Sequence, residues 1–68
     1  MPQENAIDIA LADAGFGKDA VTDLECKLDV DESPVHYDVE FKANGQEYDY
    51  DVDATTGQIL EHKNHPDD

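Results

Sequence analysis

VHYDVEFKANGQEYDYDVDATTGQIL, residues 35–60, is the stretch whose reading decides the fold. It opens on strict alternation. Val35, Tyr37, Val39 and Phe41 stand against His36, Asp38, Glu40 and Lys42, the period of a strand with one buried face. Asn44-Gly45 follows, the dipeptide favoured in a type I′ hairpin turn because both central residues must take positive φ. Alternation then resumes as Tyr48, Tyr50 and Val52 against Glu47, Asp49, Asp51 and Asp53. With Asn44 and Gly45 as the turn, 41 pairs with 48, 39 with 50 and 37 with 52. Every apolar residue then meets an apolar partner, and a one-residue slip would destroy the match.

Working outward, the segment from Val21 alternates again. Thr22, Leu24, Cys26, Leu28 and Val30 lie on one face, and Asp23, Glu25, Lys27 and Asp29 on the other. Asp31-Glu32-Ser33-Pro34 has turn chemistry, and a four-residue loop pairs 30 with 35, 28 with 37, 26 with 39 and 24 with 41. Upstream, Ala6, Ile7, Ala10, Leu11 and Ala14 form one apolar helical stripe. Pro2 suits the first turn and Gly15 the left-handed C′ position, which predicts a helix over residues 3–14. Phe16 is expected under the helix end. Residues 58–61 read as a short closing strand and residues 62–68 as a polar tail.

The predicted fold is α+β: one N-terminal helix on a three-stranded antiparallel meander with a short closing fourth strand, a single domain over residues 3–61. Its core is predicted as Ile7, Ala10, Leu11, Ala14, Leu24, Cys26, Leu28, Tyr37, Val39, Phe41, Tyr50, Val52 and Leu60.

Composition narrows the function. Sixty-eight residues make one small core, too small for a large catalytic cleft. Eighteen acidic residues oppose four lysines, a formal net charge of −14. That balance argues against nucleic acid, whose binding requires cations to displace phosphate counterions, and against anionic membrane surfaces. Well-spaced aliphatic and aromatic residues set the chain apart from disordered acidic tails. No apolar run approaches the ~20 residues needed to cross a bilayer. No basic and apolar leader follows Met1, so the sequence reads as a protein kept inside the cell or one whose export signal has been removed.

Candidate chemistry is sparse, and neither a catalytic residue, a metal site nor a cofactor is predicted. Cys26 lies on an inward strand face without a basic neighbour to lower its pKa, and Ser33 sits in a turn beside Pro34. His62 and His65 with Asp67 and Asp68 carry ligand-type side chains, but on a tail without an ordered outer shell. The runs 29–32 and 49–53 are acidic, yet they lack the glycine and distal glutamate of the twelve-residue calcium loop. Paired acids suit glycosidase chemistry only in a cleft, and these line a flat face.

Asp53-Ala54-Thr55-Thr56-Gly57 has turn chemistry, with Asp53 or Thr56 able to cap turn amides and Gly57 suited to positive φ. Together with Asn44 and Gly45, the residues Asp53, Ala54, Thr56 and Gly57 are read as structural turn positions. The helix with Ala6, Ala10 and Leu11, then Tyr37-Asp38-Val39-Glu40-Phe41, then Tyr48 to Val52, then Asp53-Ala54-Thr55-Thr56-Gly57-Gln58-Ile59-Leu60, resembles a PepSY domain across residues 3–61. The most specific element is the hydrophobic–Asp-Ala-x-Thr-Gly-x-hydrophobic ending. The resemblance implies a cystatin-like helix on an antiparallel sheet. It also implies a role in binding and restraining peptidases, as in propeptides of thermolysin-like metallopeptidases and in secreted or membrane-tethered proteins.

In the predicted register the outward face carries rows across three strands: Asp23-Lys42-Glu47, Glu25-Glu40-Asp49, Lys27-Asp38-Asp51 and Asp29-His36-Asp53. Like charges directly opposite one another are unfavourable, and the Glu25-Glu40-Asp49 row holds no cation. Glu25, Glu40 and Asp49 are therefore the candidate partner-binding residues. The expected function is a non-enzymatic PepSY-type binding module that inhibits or modulates a peptidase or another exported protein. The alternative is a weak calcium-binding or salt-adapted accessory domain. At −14 the compact state repels itself, and salt screens that repulsion over a Debye length of ~10 Å at 0.1 M. The urea midpoint should therefore rise between low and molar sodium chloride, and equal midpoints would show the acidity to be neutral for folding.

Overall fold

The computed structural model describes residues 1–67 and consists of one helix and four antiparallel strands. Helix α1 runs Gln3–Ala14, and Gly15 closes it at φ 86° with its N–H donating to the Leu11 carbonyl. A single 3₁₀ turn, Lys18–Ala20, leads into β1 (Thr22–Asp29), followed by β2 (His36–Ala43), β3 (Gln46–Asp53) and β4 (Ile59–Pro66). Strand order is sequence order, β1-β2-β3-β4, and α1 packs on the face shared by β1, β2 and β3.

The β2–β3 hairpin has the register that alternation predicts: Phe41 opposite Tyr48, Val39 opposite Tyr50 and Tyr37 opposite Val52. Asn44 and Gly45 take φ 52° and 73°, the left-handed pair of a type I′ turn. Val39 and Val52 are fully buried, and Phe41 nearly so, beneath Ala6, Ile7, Ala10 and Leu11. The alanines let the helix approach the sheet closely. Phe41 stacks on Tyr48 with ring centroids 5.2 Å apart, and Phe16 closes the cluster edge-on, 5.5 Å from Tyr48 and 6.4 Å from Phe41.

Three expectations are corrected. The first concerns β1, whose pairs Cys26–Val39 and Leu28–Tyr37 hold. Between Thr22 and Glu25, however, the register shifts by one, with Asp23 at φ 53°, so Leu24 does not lie opposite Phe41. Leu24 is 37% and Leu28 50% exposed. A twelve-residue helix is only ~18 Å long, and β1 is an edge strand with no strand beyond it, so its flank stays open. Ala14 and Cys26 are half-buried against the core, while Ala6 and Ala43 join it.

The second correction concerns Leu60. A bulge between Asp51 and Val52 on the β3–β4 ladder sets Ile59 opposite Val52 and leaves Leu60 as the extra residue, 41% exposed. Ile59, not Leu60, packs on the core. The third is the length of the closing strand. β4 continues through residues read as tail, pairing Tyr50 with His62, Tyr48 with Asn64 and Gln46 with Pro66. Asp67 N–H then donates to Gly45 O at 2.9 Å. Without those residues the outer edge of β3 would present unpaired amides and carbonyls. Polarity does not oppose the extension, because an edge strand can remain solvated.

Phe41→Ala should lower the stability measured by urea denaturation by ~3–5 kcal/mol, as for other buried aromatic truncations. Leu28→Ala should lower it by under ~1.5 kcal/mol, since a half-exposed leucine forfeits only part of its burial free energy. Equal losses at the two positions would contradict this placement of the core.

Candidate functional site

The face opposite α1 is built by the alternate residues of all four strands. Strand pairing sets Glu25 opposite Glu40, Glu40 opposite Asp49, and Asp49 opposite Lys63. The three sequence-predicted carboxylates therefore share one row, and β4 adds a lysine that a three-stranded reading omits. The next row is Lys27, Asp38, Asp51 and Glu61. Beyond the bulge at Leu60, Glu61, Lys63 and His65 alternate with His62 and Asn64, a signal that the polar character of the segment masks.

Lys42 lies opposite Thr22 because of the bulge, yet its Nζ reaches Asp23 at 3.4 Å and Asp67 at 3.5 Å. A depression of about 210 Å³ lies among Asp38, Glu40, Asp49, Asp51, Glu61 and Lys63. A larger one of about 470 Å³ opens beside the bulge, bordered by Asp23, Glu25, Glu40, Lys42 and Glu47.

The electrostatics of this face follow from crowding. Burial pushes the Glu40 carboxyl above the ordinary range, and Asp49, Asp38 and Glu25 push it further. Burial and then Asp38 likewise raise Asp51, against the opposing pull of His36 and Lys63. Asp49 Oδ1 is buried without a hydrogen-bond partner among the described residues.

His36 belongs to the same face but is 8% exposed. Its Nδ1 lies 3.0 Å from the Pro34 carbonyl, and its Nε2 lies 3.8 Å from Asp29, 3.9 Å from Glu32 and 4.0 Å from Asp51. The Pro34 carbonyl, then Asp51, Asp29 and Glu32, hold the imidazole above its ordinary value against the opposing effect of burial.

The remaining candidates fall elsewhere. Asn44 and Gly45 cap one end of the β2–β3 hairpin, and the Asp53–Gly57 turn closes the other. Asp53 Oδ1 accepts the amides of Thr55 at 2.7 Å and Thr56 at 2.9 Å, which hold its carboxyl below the usual range. Thr56 Oγ1 accepts the Gln58 amide at 3.2 Å, and the Ala54 amide donates to Val35 O at 3.0 Å. Gly57 combines φ 79° with Ile9 Cδ1 only 3.2 Å from where a Cβ would sit, so any side chain there is both strained and crowded. This turn thus docks the β3–β4 connection onto the helix.

Cys26 is half-buried, and burial, then Asp38, raises its thiol, the opposite of nucleophile activation. Ser33 is exposed in the β1–β2 loop. His62 stacks on Tyr50 at 5.7 Å on the helix-side face, while His65 approaches Glu47 at 3.6 Å on the outer one. Strand alternation therefore separates the two histidines. Tyr50 donates to Asp13 Oδ2 at 3.0 Å, and burial with that bond pushes its hydroxyl up to about 12.

These shifts set the pH dependence. His36 is raised, so its stabilising charge is complete below the ordinary histidine value of 6.5 and is lost as pH rises through the folded value. Glu40 and Asp51 are raised, so their repulsion is complete above the folded values and is relieved as pH falls through them. Asp53 works oppositely, losing its contribution only as pH falls below the ordinary aspartate value of 3.8. The urea midpoint of the metal-free protein should therefore be higher at mildly acidic pH than at pH 8. Glu40→Gln should raise stability at neutral pH by ~0.2–1 kcal/mol and blunt the acid-side gain, and His36→Gln should flatten the loss of stability that begins above the ordinary histidine value. A parent midpoint that climbs steadily from pH 5 to 8 would contradict these assignments.

The chain is similar to the "Uncharacterized protein Spy1430" of Streptococcus pyogenes serotype M6 (strain ATCC BAA-946 / MGAS10394), 32% identical over 66 residues. The aligned region covers 97% of this chain and 51% of that protein, so the chain spans about half the length of the curated relative it matches. No solved structure matches it. No helix among the described residues is long and apolar enough to cross a membrane. The family model described as "Peptidase propeptide and YPEB domain" matches residues 1–63, nearly the whole α1–β4 unit, and the chain accordingly belongs to the PepSY family.

Proposed function

We propose that this chain is a non-enzymatic binding module that restrains or modulates a peptidase, or another exported protein, by presenting the outer face of its sheet to a basic surface. The observation that carries this reading is the Glu25–Glu40–Asp49 row. It sets three carboxylates side by side with one lysine at its end, raises Glu40 and leaves Asp49 Oδ1 without a hydrogen-bond partner among the described residues. Such a face lowers the stability of the isolated domain and gains from a cationic partner, which restores the missing hydrogen bonds and charge balance.

A family described by peptidase propeptides favours a peptidase as the partner and a secreted or cell-envelope setting. A helix laid across an antiparallel sheet is also the cystatin-like arrangement, and we group the fold there.

The test is titration of the domain into a thermolysin-like metallopeptidase, by calorimetry and by inhibition of peptide hydrolysis, at low and high salt. The variant carrying Glu25→Gln, Glu40→Gln and Asp49→Asn should melt at a higher temperature than the parent. It should bind at least about tenfold more weakly at low salt, with the difference shrinking as salt screens the face. Equal binding by variant and parent would remove this face from the interaction. Calcium-dependent melting of the parent without peptidase binding would favour the accessory-domain alternative.

A further inference from the structure

We propose that the outer end of the sheet is a divalent transition-metal site of the zinc class, formed by His36 Nε2 with the carboxylates of Asp29 and Glu32; Asp51 faces the same nitrogen from 4.0 Å but lies outside that ligand cluster. The donors come from three different parts of the chain: the end of β1, the β1–β2 loop and the start of β2. Such a set is not visible as a sequence motif, and binding would tie the loop to the sheet.

The histidine points to an ion, beyond the presence of acids. Its side chain is only 10% exposed although it lies on the solvent face. A nitrogen facing a carbonyl must be the one that carries hydrogen, so the 3.0 Å contact with Pro34 O assigns the proton to Nδ1. In the neutral ring Nε2 then holds a lone pair directed at three carboxylate oxygens 3.8, 3.9 and 4.0 Å away. Four electron-pair donors converge there without a donor hydrogen between them. Protonating Nε2 satisfies the charge but not the geometry, because these separations exceed hydrogen-bond range. Nε2 makes no hydrogen bond among the described residues.

An ion meets both requirements. Zinc binds imidazole nitrogen and carboxylate oxygen at about 2.0–2.2 Å, which sets tetrahedral donors roughly 3.4 Å apart. The ligand atoms of Asp29, Glu32 and His36 lie within 4.8 Å of one another. The Glu32 side chain, 70% exposed, can rotate to close the remaining gap. Nδ1–H to a backbone carbonyl is the outer-shell bond that orients metal-binding histidines.

The nitrogen donor selects against calcium and magnesium, which take oxygen ligands. A second group, Glu47, Asp49 and His65, has comparable spacing, but its histidine side chain is 54% exposed on an edge strand and is not preorganised.

Zinc chloride titrated into the full chain in chelator-stripped buffer, followed by calorimetry, thermal melting and imidazole NMR, tests the site. One equivalent should bind, raise the melting temperature with zinc concentration and shift the His36 ring resonances. Binding should weaken as pH falls, because a proton competes for Nε2. The Pro34 carbonyl, then Asp51, Asp29 and Glu32, favour the protonated ring and so strengthen that competition. His36→Gln should abolish the effect. Since that variant alters a buried position, Glu32→Gln serves as the second probe. It should leave metal-free melting close to the parent and weaken zinc binding at least about tenfold. His65→Gln should bind zinc as the parent does. The proposal is overturned if zinc binds His36→Gln and Glu32→Gln as tightly as the parent, if His65→Gln abolishes binding, or if the parent binds no zinc below millimolar concentration. All of these measurements use the isolated chain, so they stand apart from any contact with a peptidase.

Discussion

In the β2–β3 hairpin Phe41 lies opposite Tyr48, Val39 opposite Tyr50 and Tyr37 opposite Val52, and both remaining layers are built on that pairing. The type I′ turn at Asn44-Gly45 sets the register, and period-two alternation then sends every large apolar side chain to one face. α1 contributes only small and aliphatic residues, Ala6, Ile7, Ala10 and Leu11, to cover what the hairpin presents. A shift of one residue in this pair would bury Asp38, Glu40, Asp49 and Asp51 and expose the core. No other element of so small a domain could offset such a change, because the helix has no second sheet face on which to pack.

The same register dictates the outer face. Once Phe41 is inward, Glu40 is outward, and once Tyr48 and Tyr50 are inward, Asp49 is outward between them. The crowded carboxylates are thus a direct consequence of the pairing that makes the core. A sequence under pressure for stability alone has many ways to place lysine at Glu40 or Asp49, since those side chains contribute little to the apolar core. Glu40 is instead flanked on both neighbouring strands by carboxylates. The single cation of the row arrives from β4, at its far end.

The β3–β4 connection joins the two layers. Asp53 caps two turn amides, Thr56 caps a third, and Gly57 leaves room for Ile9 of the helix. Its residue types are those that short polar turns require, so local backbone chemistry explains them without a ligand. At the other end of β2, the β1–β2 loop brings Glu32 and Asp29 towards His36. The acidic skin is therefore not uniform: one end is organised around a buried histidine, and the middle is a row of carboxylates ending on Lys63.

The sequence by itself determined the helix limits, the hairpin register and the inward or outward sense of β2 and β3, because alternation, an Asn-Gly turn and a helical stripe are local signals in the chain. It also determined that Glu25, Glu40 and Asp49 would share a row, since strand pairing follows once the two loops are placed. Tertiary structure alone decided the bulges at Asp23–Leu24 and at Leu60, which turn leucines outward where strict alternation sends them in. Each is a one-residue slip between paired strands, which regular side-chain alternation does not announce. β4 likewise runs to Pro66 because the outer edge of β3 needs main-chain partners, a demand that the polar side chains of residues 62–66 do not announce. The burial of His36 among Asp29, Glu32 and Asp51 was the least legible feature. These carboxylates are up to 22 positions apart in the chain, and only the folding of a loop over the sheet's end brings them within 4.0 Å of one nitrogen.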